Sequence, residues 1–476
     1  MSTPTFPTYA SFAELLQAVD AGEGGREILN PATGQRVGFA DTDTVADLNA
    51  AVETARAAFE SFSTTTHEQR CAMLMAAADA VDANAEPLAE LLSREQGKPL
   101  NGPNARFEVG ACSAWLRATA SFELEPEVVV DDGQTYSTLT YRPLGVVGAI
   151  GPWNWPMMIT VWQIAPALRM GNTVVVKPSE YTPLSVKALV HVINSALPEG
   201  VLTYVSGDRE IGAALSEHED VDKIMFTGST ATGQKIIEAS APTYKRLTLE
   251  LGGNDAGIVL DDVDPAAIAE GLFWGAFINT GQTCAALKRL YVPDSIYDEV
   301  VDALAEFAKN VPMGEGLDEN NVLGPLQNKA QYDIVADLVE KAKAAGARVV
   351  LGGEPDQEQK GFFYPTTLVA DIDPDNALVV EEQFGPALPI VRYSTIDEAV
   401  EMANSLDVGL GSSVWSSNRE RALQVAERLK AGTTWINNHG AVDPRIPFGG
   451  AGHSGYGVEF GVDGLKGLGQ PHVISG

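Results

Sequence analysis

Among the three cysteines of this 476-residue chain, Cys284 has the sequence context of a reactive thiol. It follows Gly281-Gln-Thr, so its neighbours are small or polar, and a thiolate in such a place can attack an electrophilic carbon. Cys71 and Cys112 fall in apolar helical stretches and are predicted to be core residues. Because the chain has no C-x-x-C pair, we expect neither a disulfide framework nor a metal site.

Two further polar residues are candidates for proton transfer and for stabilising an oxyanion. Glu250 is flanked by leucines and followed by a glycine pair. An apolar setting raises the pKa of a carboxyl group and makes it a usable general base, whereas the structural alternative is a surface glutamate at a strand end. Asn154 lies in the aromatic turn Gly151–Pro156, where it either donates a hydrogen bond to a developing oxyanion or stabilises the turn.

A strand, a glycine turn and a helix are predicted in succession over Lys223–Gly233. The free amides at such a helix N-terminus, together with the Ser229 hydroxyl, can bind a pyrophosphate, although the G-x-G-x-x-G fingerprint is absent. Another predicted strand ends at Lys177, shortly before Glu180. These two side chains can hydrogen-bond a ribose or, alternatively, form a surface ion pair.

Strands and helices alternate through most of the chain. Behind the start signal at Thr44, apolar residues recur at helical spacing, and Thr65-x-x-Glu68 resembles the capping box of a second helix. Extended segments on both sides of Asp132-Gly133 predict a β-hairpin. The strand–helix alternation that follows predicts an α/β fold with a doubly wound sheet.

Composition excludes several classes of partner. The chain carries 32 Lys and Arg against 64 Asp and Glu, for a formal net charge of −32, which repels nucleic-acid phosphates and anionic membranes. No apolar run approaches the ~18 residues that a membrane helix requires, and Met1–Val19 lacks the features of a secretory signal. We therefore expect a cytoplasmic protein, and the length indicates two or three domains.

Taken together and in their order, these motifs resemble those of the aldehyde dehydrogenase superfamily, from about residue 26 to the C-terminus. The separation of 34 positions between Glu250 and Cys284 also fits that family. Gly452 and Val458 depart from its pattern, because the family commonly has Lys and Arg there. The motifs that carry the resemblance are Gly151–Pro156, Lys177–Glu180, Phe226–Thr230, Glu250–Gly253, Gly281–Cys284, Glu381–Pro386 and Pro447–Gly450.

The resemblance implies oxidation of an aldehyde to its acid with NAD, through a thioester that water hydrolyses. It makes Cys284 the nucleophile, Glu250 the general base, and Asn154 with the Cys284 backbone N–H the oxyanion hole. Glu382 and Phe384 match the residues that position the nicotinamide ribose and ring. The other cofactor contacts that it implies are Ile150, Pro152, Trp153, Lys177, Glu180, Phe226, Gly228, Ser229, Thr232, Gly233 and Leu251.

Individual residues also bear on the choice between related activities. The Glu180 carboxylate accepts from a ribose 2′-hydroxyl but repels a 2′-phosphate, which favours NAD over NADP. A CoA-acylating dehydrogenase is a rival, but the base Glu250 would be superfluous where CoA resolves the thioester. A catalytically silent nucleotide-binding protein and an esterase without NAD are further alternatives. The intact Cys284, Glu250 and Asn154 argue against the silent protein, and the cofactor motifs argue against the esterase.

The substrate pocket is the least determined part of the site. Trp155, Ile159, Trp162 and Phe448 are predicted either to line an apolar funnel for a hydrophobic or aromatic aldehyde, or to be plain core residues.

The resemblance places His439 and Arg445 at a polar lip of the substrate tunnel. Arg445 supplies an alternative hypothesis, in which its guanidinium selects semialdehydes through their distal carboxylate.

Three parts are implied for the chain. They are a discontinuous, Rossmann-like dinucleotide-binding domain over 1–122 and 144–252, a catalytic domain over 253–452, and an oligomerisation arm from the 123–143 hairpin and the 453–476 tail. Because two strands alone bury too little surface to be stable, the hairpin is expected to add to a neighbouring subunit's sheet. This predicts a homodimer or a homotetramer.

Overall fold

The structure is a computed structural model that describes residues 6–356 and 358–476. Residues 1–5, with which the predicted first domain and the Met1–Val19 segment begin, lie outside the described residues. Short 3-10 turns occur at Ala241–Thr243, Ile278–Gly281 and Asp294–Ile296. The helices are α1 (Phe12–Val19), α2 (Val45–Phe62), α3 (His67–Ala83), α4 (Ala85–Gln96), α5 (Ala105–Ser121), α6 (Pro156–Arg169), α7 (Pro183–Asn194), α8 (Arg209–Glu217), α9 (Thr230–Ser240), α10 (Pro265–Phe277), α11 (Tyr297–Ala308), α12 (Lys329–Ala344), α13 (Ala377–Val380), α14 (Ile396–Ala403), α15 (Arg419–Ala426) and α16 (Gly461–Lys466).

The strands form two large sheets, one sheet of three strands and two small pairs. They are β1 (Arg26–Leu29), β2 (Arg36–Ala40), β3 (Glu127–Asp131), β4 (Tyr136–Pro143), β5 (Val146–Ile150), β6 (Thr173–Lys177), β7 (Leu202–Tyr204), β8 (Lys223–Thr227), β9 (Arg246–Glu250), β10 (Asp255–Val259), β11 (Leu287–Pro293), β12 (Arg348–Leu351), β13 (Thr367–Ala370), β14 (Ala387–Tyr393), β15 (Val408–Gly409), β16 (Gly411–Trp415), β17 (Thr433–Ile436), β18 (Ala451–Gly452), β19 (Gly455–Tyr456) and β20 (Gly469–Ser475).

The first large sheet has the strand order β19-β9-β8-β5-β6-β7 and is parallel except for the edge strand β19. Every residue of β5, β6 and β8 is buried, because helices pack on both faces of the sheet. The chain runs from β5 to β6 and β7 on one side, and then returns to β8 and β9 on the other. This reversal leaves a crevice at the carboxyl ends of β5 and β8, where α/β proteins bind ligands.

The second large sheet has the order β12-β13-β14-β11-β10-β16-β17, with β12 as its antiparallel strand. Helices α10 and α11 pack on one face, and α12, α14 and α15 pack on the other. Both large sheets therefore have the α/β construction that the sequence predicts. Within residues 6–356 and 358–476, no helix combines the length and the apolar character needed to span a membrane.

The predicted hairpin is present as β3 and β4, and the C-terminal strand β20 adds to it in antiparallel register, with Gln470 opposite Arg142. Strand β19, from the same C-terminal tail, pairs with β9 of the first large sheet instead. The three-stranded sheet leaves large apolar side chains exposed on its outer strands, namely Val128, Val129, Val473 and Ile474.

Of the two predicted helix starts, that of α2 is confirmed and that of α3 is shifted by one residue. Thr44 caps α2 and forms a capping box with Asp47, as predicted. The capping box of α3 is made by Thr66 and Gln69, so the prediction of Thr65 and Glu68 was wrong by one residue. The physical reason is that the Thr65 hydroxyl donates to a carbonyl oxygen of the preceding turn, which keeps it outside the helix.

The cysteine contexts agree with the predicted difference between the three residues. Cys112 is fully buried in α5, and Cys71 is partly buried against the first apolar core, where its thiol donates to the Ala120 carbonyl oxygen at 3.1 Å. Cys284 is also partly buried, but it faces a cavity.

Candidate active site

A cavity of about 1000 Å³ opens at the carboxyl ends of β5, β6, β8 and β9 and extends to the predicted nucleophile. Its position is the one that the strand order of the first sheet favours for a ligand. The lining contains the three predicted catalytic residues, Asn154, Glu250 and Cys284. It also contains every predicted cofactor residue except Gly233, namely Ile150, Pro152, Trp153, Lys177, Glu180, Phe226, Gly228, Ser229, Thr232, Leu251, Glu382 and Phe384.

Cys284 follows a strained turn between α10 and β11. Asn279 and Thr280 adopt left-handed backbone conformations, with φ of 51° and 58°. Gly281 follows at φ 76°, and a Cβ atom there would lie only 2.3 Å from the Gly385 carbonyl oxygen. Glycine is therefore required at this position. Left-handed non-glycine residues of this kind cluster at functional sites, where the surrounding structure holds them.

Buried charges surround the Cys284 thiol. Burial raises the pKa of Cys284 to about 12, the nearby Lys288 lowers it, and the carboxylates of Glu250, Asp255 and Glu382 raise it further. In the protein alone the thiol is therefore protonated at neutral pH. Forming the thiolate requires a gain of positive charge, or a loss of negative charge, close to the sulfur.

The Asn154 side chain lies against the loop that carries the thiol. Its Nδ2 donates to the Gln282 carbonyl oxygen at 3.0 Å, and the Asn154 carbonyl oxygen accepts from Asn279 Nδ2 at 2.8 Å. These contacts hold the amide beside Cys284. A primary amide has two N–H donors, and the second suits an oxyanion that forms at the thiol.

A fully buried ion pair fixes the loop on which Asn154 lies. Lys98 Nζ donates to the Asn154 carbonyl oxygen at 2.8 Å and pairs with Glu108. The second Glu108 oxygen accepts from the backbone N–H groups of Met157 and Met158, at 2.9 and 3.1 Å, where α6 begins. Burial lowers the pKa of Lys98 to about 8, and Glu108 opposes this effect. Because either charge is costly to bury alone, the two residues hold the loop as a pair.

Glu250 ends β9 with its carboxylate buried. Among the described residues, neither of its carboxylate oxygens has a hydrogen-bond partner. Burial raises the pKa of Glu250 well above its usual range, and the nearby Glu459 carboxylate raises it further. Burial also raises the pKa of Glu459 to about 8, against the lowering effect of Lys223. A carboxyl group in this setting can accept a proton from water near neutral pH.

Glu382 and Phe384 line the cavity close to these catalytic groups. Glu382 Oε1 lies 2.8 Å from Lys288 Nζ, and burial raises the pKa of Glu382 against the effect of this lysine. The Phe384 ring packs edge-on against Trp153, with ring centroids 5.4 Å apart. A carboxylate and an aromatic face are thus presented together, as contacts with a ribose and a planar ring require.

The loop after β8 offers groups for a pyrophosphate. Ser229 caps α9, and its hydroxyl accepts a backbone N–H from the first turn. The first amides of a helix have no intrahelical partner, and the helix dipole favours an anion there. Gly228 keeps the loop close to Phe226, since a Cβ atom would lie 2.4 Å from the Phe226 ring. At Gly233, which does not line the cavity, an added Cβ atom would lie 2.7 Å from Leu251 Cδ2, so glycine allows this close approach as well.

Lys177 and Glu180 form another part of the cavity lining. Lys177 ends β6, and burial lowers its pKa against the effect of Glu180. The Glu180 backbone carbonyl accepts from the Arg26 guanidinium, which anchors the loop. Both side chains line the cavity and can contact ribose hydroxyls.

Comparison with known proteins places this arrangement in a family. The aldehyde dehydrogenase family matches residues 19–473, nearly the whole chain. The chain belongs to this family. The predicted resemblance is thereby confirmed, and with it the assignment as an oxidoreductase that acts on aldehydes.

Relatives within the family cover almost all of the chain. It is 38% identical over 437 residues to the putative aldehyde dehydrogenase FUS7 of Gibberella fujikuroi, with 92% of each chain covered. It is similar to a putative aldehyde dehydrogenase from Burkholderia cenocepacia, with 37% identity, a TM-score of 0.92, and 96% of this chain and 95% of that chain covered. An aldehyde dehydrogenase from Bacillus cereus, solved as an NAD⁺ complex, has 36% identity and a TM-score of 0.90, over 94% and 92% of the chains. The predicted fold is confirmed by these likenesses.

The predicted apolar substrate residues of this family member do not line the large cavity. Trp155, Ile159, Trp162 and Phe448 are at most 7% exposed and belong to the first apolar core. Trp155 still contacts the nucleophile loop, because its Nε1 donates to Thr283 Oγ1 at 2.9 Å. The packing of these residues agrees with the core alternative, and their contact with a substrate stays a prediction.

His439 and Arg445 occupy different environments. His439 is buried, with Nδ1 2.9 Å from Ser413 Oγ and Nε2 3.5 Å from Asp255 Oδ2. The Arg445 side chain is 76% exposed, and its guanidinium donates to both carboxylate oxygens of Asp443. Among the described residues, no hydrogen bond or ion pair joins His439 to Arg445.

Five charged residues of the site were not predicted from the sequence: Lys98, Glu108, Asp255, Lys288 and Glu459. Three of them carry a recognisable signal, because Glu108, Lys288 and Glu459 each interrupt an apolar stretch. Charged side chains are rarely fully buried unless they have a partner or a function, so such interruptions are informative. Lys98 follows Gln96-Gly97 in a polar loop and has no such signal.

Proposed function

We propose that this chain oxidises an aldehyde to the carboxylic acid with NAD, through a thioester on Cys284. One observation carries the proposal. A single cavity presents a thiol, a buried carboxylate without a hydrogen-bond partner among the described residues, and an amide, and its lining also includes a helix N-terminus and the side chains of Glu180 and Glu382. The thiol, the carboxylate and the amide suit an aldehyde carbon, and the remaining groups suit a dinucleotide.

The chain's own residues have distinct roles in the first half of the reaction. The Cys284 thiol gives up its proton to solvent water, and the resulting thiolate forms a bond to the aldehyde carbon, whose carbonyl oxygen becomes an oxyanion. The second N–H of the Asn154 amide and the Cys284 backbone N–H donate to this oxygen, with Lys98 and Glu108 holding the loop in place. NAD, when bound, supplies the acceptor for the hydride that leaves the same carbon.

Glu250 acts in the second half of the reaction, the hydrolysis of the thioester. Its carboxylate removes a proton from water, and the hydroxide oxygen adds to the thioester carbon, releasing the acid and the Cys284 thiolate. The burial of Glu250 favours this role, because a base of raised pKa accepts the proton more readily than an exposed carboxylate does.

The groups along the cavity fit NAD. Ser229 and the start of α9 suit the pyrophosphate, Glu382 and Phe384 suit the nicotinamide riboside, and Lys177 with Glu180 suits the adenosine ribose. Aldehyde dehydrogenases similar to this chain, from Bacillus cereus and as betaine aldehyde dehydrogenase from Staphylococcus aureus, have been solved in complex with NAD⁺.

The test is NADH release over a panel of aliphatic, aromatic and semialdehyde substrates, with product analysis in the presence and absence of CoA. We expect the free acid, formed without CoA. A requirement for CoA, with an acyl-CoA product, would establish the acylating alternative.

Glu180 is expected to make the enzyme prefer NAD. A carboxylate near a 2′-phosphate is repelled by an energy of about 1–4 kcal/mol, so kcat/KM for NAD should exceed that for NADP at least about fivefold. Glu180→Ala should narrow this ratio by at least about fivefold, because the repulsion is removed. Steady-state kinetics with both cofactors measure the effect, and a wild-type preference for NADP would contradict it.

The substrate that we propose is a hydrophobic or aromatic aldehyde. The exposed Arg445–Asp443 ion pair favours it over a semialdehyde, because the guanidinium is already occupied by a carboxylate. Arg445→Ala should change the ratio of kcat/KM for succinic semialdehyde and benzaldehyde by less than about twofold, as for other exposed pairs. Arg428→Ala, which removes another exposed arginine paired with an aspartate, is the matched control. A selective loss of semialdehyde oxidation in Arg445→Ala would support the distal-carboxylate alternative.

We also propose that the three-stranded sheet of β3, β4 and β20 joins subunits. Among the described residues, its outer strands β3 and β20 each pair on one side only, and they carry exposed Val129 and Ile474, at 55% and 62% exposure. Light scattering should give a multiple of the 50.5 kDa chain mass, and Ile474→Asp should shift the population to the monomer. Leu423→Asp, on α15, is the control and should leave the mass unchanged. A wild-type mass of one chain would rule the interface out.

A further inference from the structure

Lys288 connects the nucleophile to the ribose-binding carboxylate. It lies at the start of β11, four positions after Cys284, with a side chain only 2% exposed. Its Nζ donates to the Cys284 carbonyl oxygen and lies 2.8 Å from Glu382 Oε1. The Phe384 ring centroid is 5.5 Å from the same nitrogen. One buried cation therefore touches the loop of the thiol and the carboxylate that faces the cavity.

The charges around the thiol make this cation important. Glu250, Asp255 and Glu382 each disfavour the thiolate, whereas Lys288 favours it. When Glu382 is ionised, its Oε1 lies 2.8 Å from Lys288 Nζ, and its negative charge cancels much of the electrostatic effect of Lys288 at the sulfur. Whatever reduces the negative charge of Glu382 therefore makes the thiolate easier to form.

A ribose can cause this change. Two ribose hydroxyls that donate to the Glu382 carboxylate spread its charge and compete with Lys288 for its oxygens. Gly252 permits the carboxylate to reach this position, because a Cβ atom there would lie 2.5 Å from Glu382 Oε2. The ammonium group then acts with less opposition on the nearby sulfur.

We propose that Lys288 is a positioning residue that couples occupation of the ribose site at Glu382 to the reactivity of the Cys284 thiol. The inference rests on the proposed function, since it assumes that Glu382 receives the nicotinamide ribose. By linkage, the coupling is reciprocal, so a ligand that promotes thiolate formation binds more tightly to the thiolate form.

ADP-ribose is the probe that tests the coupling. It carries the ribose hydroxyls but no nicotinamide, so it separates the path through Glu382 and Lys288 from the positive charge of the nicotinamide ring. The readout is the rate of Cys284 alkylation by iodoacetamide against pH, with and without ADP-ribose, and the modified residue is identified by peptide mass spectrometry. ADP-ribose binding is measured separately by calorimetry.

In the wild type, saturating ADP-ribose should raise the alkylation rate below the thiol pKa by about tenfold, which corresponds to a fall of about one pKa unit. Lys288→Met should slow alkylation of the free enzyme at the same pH by about tenfold or more and abolish the response to ADP-ribose. Lys288→Arg, which keeps the charge, should retain most of the response. Lys341→Met, an exposed lysine paired with Asp337, should behave as the wild type.

The outcomes separate the inference from the function on which it rests. If the wild type does not bind ADP-ribose, the proposed cofactor site fails, and the inference fails with it. If Lys288→Met binds ADP-ribose and still shows the wild-type rate and response, the coupling alone is wrong. If Lys288→Met loses ADP-ribose binding or stability, Lys288→Arg decides instead. Arginine keeps the charge but not the shape of lysine. A response to ADP-ribose in Lys288→Arg therefore supports the coupling, and loss of the response contradicts it.

Discussion

Cys284→Ser is expected to lower kcat for aldehyde oxidation by at least about 10⁴-fold, the loss typical of removing a covalent nucleophile. A serine hydroxyl remains protonated at neutral pH and is a much weaker nucleophile than a thiolate. Binding of NAD should change little, because the predicted cofactor contacts are made by other residues of the cavity lining. NADH formation and calorimetric NAD binding measure the two effects.

Cys71→Ser is the matched control for this substitution. Its hydroxyl can keep the hydrogen bond that the thiol donates to the Ala120 carbonyl oxygen, so activity should stay within about twofold of the wild type. A Cys284→Ser enzyme that kept more than about a tenth of the wild-type kcat would remove the thiol from the chemistry.

Glu250→Gln should lower the steady-state rate by about 10²–10⁴-fold, the usual contribution of a general base. The substitution removes the proton acceptor for hydrolysis while the thiol remains, so the first turnover should still release one NADH per active site as a burst. Stopped-flow absorbance resolves the burst from the slow phase. Glu270→Gln, on the exposed face of α10, should be unchanged and serves as the control.

The pH dependence of the slow phase follows from the charges around Glu250. Its pKa is raised, so the basic form accumulates only as the pH rises through that value, and hydrolysis should accelerate with pH. The neighbouring Glu459 carboxylate contributes to this rise. Glu459→Gln should therefore lower the pKa of Glu250 and move the rising part of the profile to lower pH. A pH-independent slow phase would argue against Glu250 as the base.

Regular elements with strong local patterns were the ones that the sequence could predict. The strand Thr173–Lys177 is rich in β-branched residues, and its end at Lys177 was predicted without error. The start of α2 was equally clear, because Thr44 and Asp47 can close one capping box. At the start of α3 three consecutive threonines compete for the same role, and only the preceding turn decides between them.

The parts of the site that could not be predicted depend on pairs distant in sequence. Lys98 contacts Asn154, 56 positions away, and no local sequence pattern predicts this contact. The Lys288–Glu382 ion pair joins strand β11 to the loop between α13 and β14, so it exists only after the second sheet has formed. Trp155 and its apolar neighbours were predicted to be buried in either case, and they are. Residue type alone, however, does not distinguish a core residue from one that lines a pocket.

The covalent intermediate can be observed directly. Glu250→Gln is mixed with NAD and benzaldehyde, quenched in acid after the burst, digested, and analysed by mass spectrometry. We predict one benzoyl group on the peptide that contains Cys284, in an amount equal to the NADH burst, and its disappearance when hydroxylamine is added. A burst of NADH with Cys284 unmodified, or a benzoyl group on another residue, would contradict a thioester on Cys284.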